Sequence, residues 1–265
     1  MNNPQAFDPL APTYDKAFTD TIIGRYLREQ VHARLARHFQ AGSHILELGC
    51  GTGEDALWLV ERGVRVLATD VSAGMLTAAR AKTAGNPLIE VERLDLNALP
   101  ETFQGQPFNG AFSNFGPLNC LGEWRTLAAW LAQRVQPGGI VGLGVMSPLC
   151  LWETLWHGLH GDFGPATRRW RQTTFQPQTE TAGFNPLPIP IHYPTIRRLT
   201  SDFRPHFQRV YVRPLGLFLP PSDVFPAIEK RPRLLNRLLG LEARMGKYSK
   251  LALFADHYWV EFQKT

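Results

Sequence analysis

The stretch Ile45-Leu-Glu-Leu-Gly-Cys-Gly-Thr-Gly-Glu-Asp55 decides the fold of this chain. An apolar run of strand character leads through Gly49, Gly51 and Gly53 into a segment of helical spacing. Glycine permits the tight turn, and its missing Cβ lets a ligand come close to the backbone. The helix that follows presents unpaired N–H groups and the positive end of its dipole, which favour an anionic group nearby. The spacing is G-x-G-x-G, with Glu54 where a dinucleotide fingerprint carries its third glycine. Glu54 and Asp55 would crowd a pyrophosphate at that helix start. No G-x-x-x-x-G-K-[ST] phosphate loop occurs anywhere.

On either side of the loop the pattern alternates between strand and helix. Strands are expected at Ile45–Leu48, Val64–Thr69, Ile89–Leu94, Phe108–Ser113 and Ile140–Val145, with helices near 54–62, 73–83 and 123–136. An amphipathic helix over about 20–39 precedes them, its apolar positions including Ile23, Leu27, Val31 and Leu35. This is the texture of βαβ units around a parallel sheet. After Met146 it changes to a stretch rich in Trp, His, Pro and Arg. A helix near 195–204 and a strand at Phe207–Val212 then resume the order. A second insert spans about 215–250 and holds a helix near 232–245. The alternating run Asp256-His-Tyr-Trp-Val-Glu-Phe-Gln263 suits a final strand.

Two acids follow the glycine loop at strand ends. Asp70 closes the second strand, seventeen residues beyond Gly53, where a carboxylate can accept hydrogen bonds from both ribose hydroxyls of an adenosine. Asp95, in Glu92-Arg-Leu-Asp-Leu-Asn97, follows the third strand, where an adenine edge would lie. Open parallel sheets bind ligands at the carboxyl ends of their strands.

Glu47-Leu-Gly-Cys-Gly-Thr-Gly53 followed by Asp70 and Asp95 resembles the seven-stranded, Rossmann-like class I methyltransferases that use S-adenosylmethionine. The resemblance covers roughly residues 10–146 and resumes in the last strands. It implies an α/β doubly wound, mostly parallel seven-stranded sheet with an antiparallel last strand. It also implies helical or irregular inserts that form an acceptor lid. By the same resemblance Glu47, Gly49, Cys50, Gly51, Thr52 and Gly53 would surround the methionine part of the cofactor. Asp70, with Val71 and Met75 after it, would hold the ribose side, Asp95 and Leu96 would meet the adenine, and Asn114 and Phe115 would border the methyl group. Tyr14 resembles part of the family's N-terminal lid. The expected division is an N-terminal lid and helix at 1–40 and a cofactor-binding core at 41–146. An acceptor-side insert at 147–194 and the C-terminal strands at 195–265 complete it. S-adenosylhomocysteine would be the product.

Methyl transfer from a sulfonium is an in-line displacement with a neutral leaving group, so no acid is required. A base is needed only where the acceptor arrives protonated. His157, His160, His192 and Tyr193 are the groups of the first insert that could serve. Ser113-Asn-Phe-Gly-Pro lacks the Asn/Asp-Pro-Pro-aromatic run of enzymes that methylate exocyclic amines of nucleobases. The first insert carries Leu151, Trp152, Leu155 and Trp156 at helical spacing, then Trp170, Phe175, Phe184 and Tyr193. Such residues fill a core or wall an apolar pocket, and the preferred reading is a small hydrophobic or aromatic acceptor.

Charge is unevenly spread: residues 1–150 balance at −2 and residues 151–265 at +7. The excess can mark an anionic substrate, a membrane surface or nucleic acid and leaves open a tRNA or RNA acceptor, though no RNA-binding module is recognisable. A non-catalytic S-adenosylmethionine-binding module is a third reading. No apolar run reaches eighteen residues, and the start of the chain has no secretory signature. The three cysteines, odd in number and far apart, suit neither a disulfide framework nor a metal knuckle. A cytoplasmic protein without a metal is the expectation.

Overall fold

The computed structural model describes residues 6–103, 107–171, 173–175 and 188–265. A short helical entry runs through a 3-10 turn Asp8–Leu10, α1 (Ala11–Tyr14) and a π-type turn Asp15–Thr19. It leads to α2 (Ile22–His38), capped by the Thr21 hydroxyl accepting from Gly24 N. The core then runs β1 (His44–Leu48), α3 (Glu54–Val60), β2 (Arg65–Asp70), α4 (Ala73–Lys82), β3 (Ile89–Arg93), β4 (Phe108–Ser113), α5 (Trp124–Ala132) and β5 (Val135–Met146). The first insert holds α6 (Leu151–Leu159), α7 (Phe163–Ala166), a 3-10 turn Arg168–Trp170 and a hairpin of β6 (Thr173–Phe175) and β7 (Ile189–Ile191). After it come α8 (Ile196–Phe203), β8 (Phe207–Leu215), then α9 (Phe225–Glu229) and α10 (Pro232–Met245) of the second insert. A 3-10 turn Ser249–Phe254 leads to β9 (His257–Lys264). Phe184 and the start of the Pro-rich run at Asn185 lie outside the described residues.

Seven strands form one sheet in the order β3-β2-β1-β4-β5-β9-β8. All pairs are parallel except those of β9, which runs antiparallel to both β5 and β8. The order starts at β1 and steps outward in both directions, so the carboxyl ends of β1, β2 and β4 meet at the switch point where such sheets hold ligands.

Period-2 alternation gives the sheet two apolar faces. Leu46 and Leu48 of β1, with Tyr258, Val260 and Phe262 of β9, pack under α5 and α8. Ile45, Val66, Ala68 and Trp259 face α2 and α3. Trp259 is 1% exposed and lies over Gly142, where a Cβ would come within 2.4 Å of its ring. That contact explains a glycine in the middle of β5. A fully buried side chain of this size contributes about 1.5–3 kcal/mol.

Two expectations are corrected. The helix foreseen at 123–136 stops at Ala132, because Val135 already pairs with Phe108 and Gly138 adopts φ +78°. A helix cannot pass Pro137-Gly138. The 151–156 stripe is not wholly core: Trp152 and Trp156 pack inward, whereas Leu151 and Leu155 are exposed.

Candidate functional site

The glycine loop closes by hydrogen bonds that the sequence only suggests. Cys50 N donates to Thr69 O at 2.8 Å, and Gly53 N donates back to Cys50 O at 2.9 Å. Gly49, Gly51 and Gly53 take φ of +73°, +54° and +83°, a region that penalises any Cβ. Their roles differ. A Cβ on Gly49 would strike Pro117 at 2.4 Å, and one on Gly53 would meet Ala79 of α4 at 3.0 Å, whereas one on Gly51 would meet nothing within 4 Å. Gly49 and Gly53 therefore serve packing, and Gly51 leaves a cradle above the turn.

Asp70 ties the loop to β2. Its Oδ2 accepts from Gly51 N and its Oδ1 from Ser72 N, each at 2.9 Å. Burial raises its pKa, and those backbone N–H groups oppose the rise. Each oxygen keeps a lone pair for a ligand hydroxyl. Asp95 lies past β3, turned by its own Oδ1 accepting from Asn97 N at 2.9 Å.

Beneath the loop lies a buried polar group that no local motif announces. Arg28 of α2 and His32 reach Asp55 Oδ1 at 2.7 and 2.6 Å, and Asn114 Nδ2 donates to Asp55 Oδ2 at 2.9 Å. Burial would raise the Asp55 carboxyl, but Arg28 and His32 outweigh it and hold it well below the usual range. Glu47 is treated oppositely: burial, with Asp55 close by, pushes its pKa far up. Glu47 Oε2 and Asn114 Oδ1 are buried atoms without a hydrogen-bond partner. A buried polar atom left unpaired costs about 1–3 kcal/mol, so these two are fit to receive a ligand.

One cavity of about 550 Å³ joins these groups to the inserts. Tyr14, Glu47, Gly49, Cys50, Gly51, Thr52, Asp70, Val71, Met75, Asp95, Leu96, Asn114 and Phe115 all line it. Gly53 alone among the expected cofactor residues is not part of its wall, since the turn aims it at α4. Burial raises the Tyr14 hydroxyl's pKa. Phe115, the one non-glycine residue of positive φ among the described residues, sits at φ +52°. Its ring meets Phe18 at 4.8 Å edge-on and lies under Arg28 at 5.2 Å. Strain of this kind collects at ligand sites.

The entry helices close over the loop through carboxylates. Asp8 Oδ1 accepts from Ser72 Oγ and from Gly74 N, the latter at 3.0 Å. Asp15 accepts from Thr52 Oγ1 at 2.6 Å and from Lys82 Nζ at 2.8 Å, and Lys82 also reaches Glu54 at 2.8 Å.

On the insert side the wall is made by Arg168, Thr173, Thr174, Ile191, Tyr193, Ser222 and Asp223. Glu153, 1% exposed, binds Arg168 through two hydrogen bonds of 2.8 and 2.6 Å and also accepts from Arg169. Arg169 continues to Asp256 at 2.5 Å, and Asp256 to His257 Nδ1 at 2.9 Å. Cys150, Glu153 and Asp256 bring their ligand-type atoms within 4.8 Å, but the Arg169 guanidinium bridges the two carboxylates and fills the role of a cation.

Of the groups expected to serve as a base, only Tyr193 reaches the cavity wall. His157 stands behind it, with Nε2 3.4 Å from Asp223. His192 is spent on structure: its N donates to Asn119 O at 2.7 Å and its ring meets Trp124 edge-on. His160 turns its Nδ1 to Trp156 O at 2.7 Å as the end of α6. Arg28, Asp55, Arg168 and Asp223 were missed; each gains its meaning from a partner distant in the chain, which no local motif encodes.

These residues fit S-adenosylmethionine: an open cradle at Gly51, an acid at the end of β2, and unpaired buried oxygens on Glu47 and Asn114. Comparison with known proteins agrees. A family profile described as a methyltransferase domain matches residues 45–139. A demethylmenaquinone methyltransferase of Symbiobacterium thermophilum is 30% identical over 140 residues, 51% of this chain and 55% of that protein. The chain thus spans about half the length of the curated relatives it matches. An S-adenosylmethionine-dependent methyltransferase from Mesorhizobium loti superposes with TM-score 0.56 at 21% identity, covering 91% of this chain and 96% of that one. A phosphoethanolamine N-methyltransferase of Haemonchus contortus, solved with S-adenosyl-L-methionine, superposes with TM-score 0.62 at 15% identity, covering all of this chain and 60% of that one. Residues 45–139 match a methyltransferase domain, and the chain as a whole has the fold of the class I S-adenosylmethionine-dependent methyltransferases.

Proposed function

We propose that this protein methylates a small hydrophobic acceptor held beneath the two inserts. The observation that carries the reading is the continuity of one cavity from the Gly51 cradle and Asp70 to Arg168, Tyr193 and Asp223. The curated relatives named for demethylmenaquinone support an acceptor of that class.

S-adenosylmethionine supplies, when bound, a methyl group on a sulfonium whose departure leaves a neutral thioether. The chain's own work is placement. Asp70 would accept from the ribose hydroxyls, Asp95 and Leu96 would border the adenine, and Glu47 and Asn114 would offer their unpaired oxygens near the methionine end. Tyr14 and the Asp15–Lys82 contact hold the entry helices over the site. Val71, Met75, Cys50 and Thr52 complete the wall. Alignment of this kind is worth about 7–11 kcal/mol of barrier, so no acid–base dyad is demanded. Tyr193 and Asp223 stand where an acceptor would sit, with His157 Nε2 3.4 Å from the Asp223 carboxylate. The three thiols are free, which fits a cytoplasmic setting.

The test has two arms. Calorimetry with S-adenosylhomocysteine should give binding that Asp70→Asn weakens. Product release should then be assayed against a panel of hydrophobic phenols and quinols beside tRNA. Binding without turnover on any acceptor would favour a non-catalytic module, and turnover on tRNA alone would overturn the small-acceptor reading.

A further inference from the structure

The second insert carries a surface that methyl transfer does not use. Between residues 230 and 250 the sequence places seven Lys and Arg against one acid, Glu242. That acid is turned inward: it is 2% exposed, and its oxygens accept from Gly216 N at 3.1 Å and Phe218 N at 2.8 Å. The neighbouring Glu229 is likewise used, accepting from Ile23 N at 3.0 Å. All seven cations are exposed, and none makes an ion pair among the described residues.

Helical geometry sorts them. With 3.6 residues per turn, Arg233, Arg237, Leu241 and Arg244 fall on one stripe of α10, opposite the buried Leu235 and Glu242. Leu241 is 42% exposed in the middle of that stripe, and Tyr248 follows at 50%. A solvated face would intersperse carboxylates and gain from pairing them, as surface helices do. This face has cations, Asn236 and apolar side chains, and no carboxylate.

We propose that the outer face of α10 docks on an anionic lipid bilayer. A cluster of four to eight Lys/Arg on an amphipathic helix is the pattern that anionic headgroups attract. Apolar residues set among the cations add insertion into the headgroup boundary. The apolar component favours lipid over a polynucleotide, which would engage the cations and leave Leu241 in water. The docking is peripheral, since no helix of the described residues is long and apolar enough to cross a membrane. Ser222 and Asp223 of the same insert line the cavity, so the docked element adjoins the acceptor side. The inference stands apart from the nature of the acceptor.

The experiment is sedimentation of the full chain with vesicles of phosphatidylcholine, with and without phosphatidylglycerol, at low and high salt. Binding is expected only with phosphatidylglycerol and should weaken as salt rises. The triple variant R233Q/R237Q/R244Q removes three exposed cations, and its partition should fall roughly a hundredfold. Leu241→Asp should lower binding although the cations remain. Circular dichroism and S-adenosylhomocysteine affinity should be unchanged in both variants, which separates lost docking from lost fold. Equal binding to both vesicle types, wild-type binding by the triple variant, or no binding at all would overturn the proposal. So would retention of homopolymer RNA at concentrations where anionic vesicles are not bound.

Discussion

Gly49 and Gly51 sit two residues apart with similar φ, yet their surroundings separate packing from ligand space. Gly51→Ala should cost the fold only about 1 kcal/mol, the price of a left-handed backbone, because the added methyl meets nothing. The same methyl occupies the cradle, so calorimetry should show S-adenosylhomocysteine affinity falling at least tenfold. Gly49→Ala should instead lower the thermal midpoint sharply, since the new Cβ would lie only 2.4 Å from the Pro117 ring, which cannot bend away. Asp70→Asn keeps size, removes charge and turns an NH2 donor toward one of the two backbone N–H groups that Asp70 accepts from. Charge-assisted hydrogen bonds are worth about 1.5–3 kcal/mol, so ligand affinity should fall roughly ten- to a hundredfold. These loop residues were legible in the sequence because glycines and an acid at fixed offsets form a local pattern. Arg28 was not: within α2 it reads as one more polar helix position, and only the fold brings it to Asp55.

At the scale of elements, the inserts are held by buried charge. Arg169 joins Glu153 of α6 to Asp256 at the start of β9, and Trp152 Nε1 donates to Phe218 O at 2.6 Å across to the second insert. Arg169→Met leaves two carboxylates buried and facing each other, and should destabilise by about 3–5 kcal/mol, read as a lowered urea midpoint. Periodicity made α6 visible as a helix, but not which stripe faces inward. Trp152, whose N–H reaches Phe218 O, and Trp156 take the inner side, and Leu151, Leu155 and Leu159 are left outside, Leu159 at 85% exposure. The entry segment obeys the same logic. Lys82→Met removes the cation shared by Asp15 and Glu54, so the closed segment should open more readily. Stopped-flow displacement should then show faster release of S-adenosylhomocysteine with the core fold intact.

For the whole molecule, α2 is tied to β9 by one carboxylate. Glu261 of β9 accepts two hydrogen bonds from Arg34, at 2.7 and 2.6 Å, a third from Trp259 Nε1 at 2.8 Å, and meets His38 at 3.1 Å. Burial would raise its pKa, but Arg34 and His38 prevail and bring it down from 4.5 to about 2. A carboxyl depressed in the folded state binds fewer protons than in the unfolded one, so its stabilisation is complete above 4.5 and is lost as pH falls toward 2. Urea midpoints should therefore decline through that window, and Glu261→Gln should show lower stability at neutral pH with a flatter decline. The position of β9 also orders events at the ribosome. It is translated after β5 and β8, yet it alone bridges them. The half of the sheet that carries the glycine loop can assemble during synthesis, whereas β8 waits with an open edge until residues 257–264 emerge. Nascent chains stalled before that point would bind chaperones, and their release would report completion of the sheet.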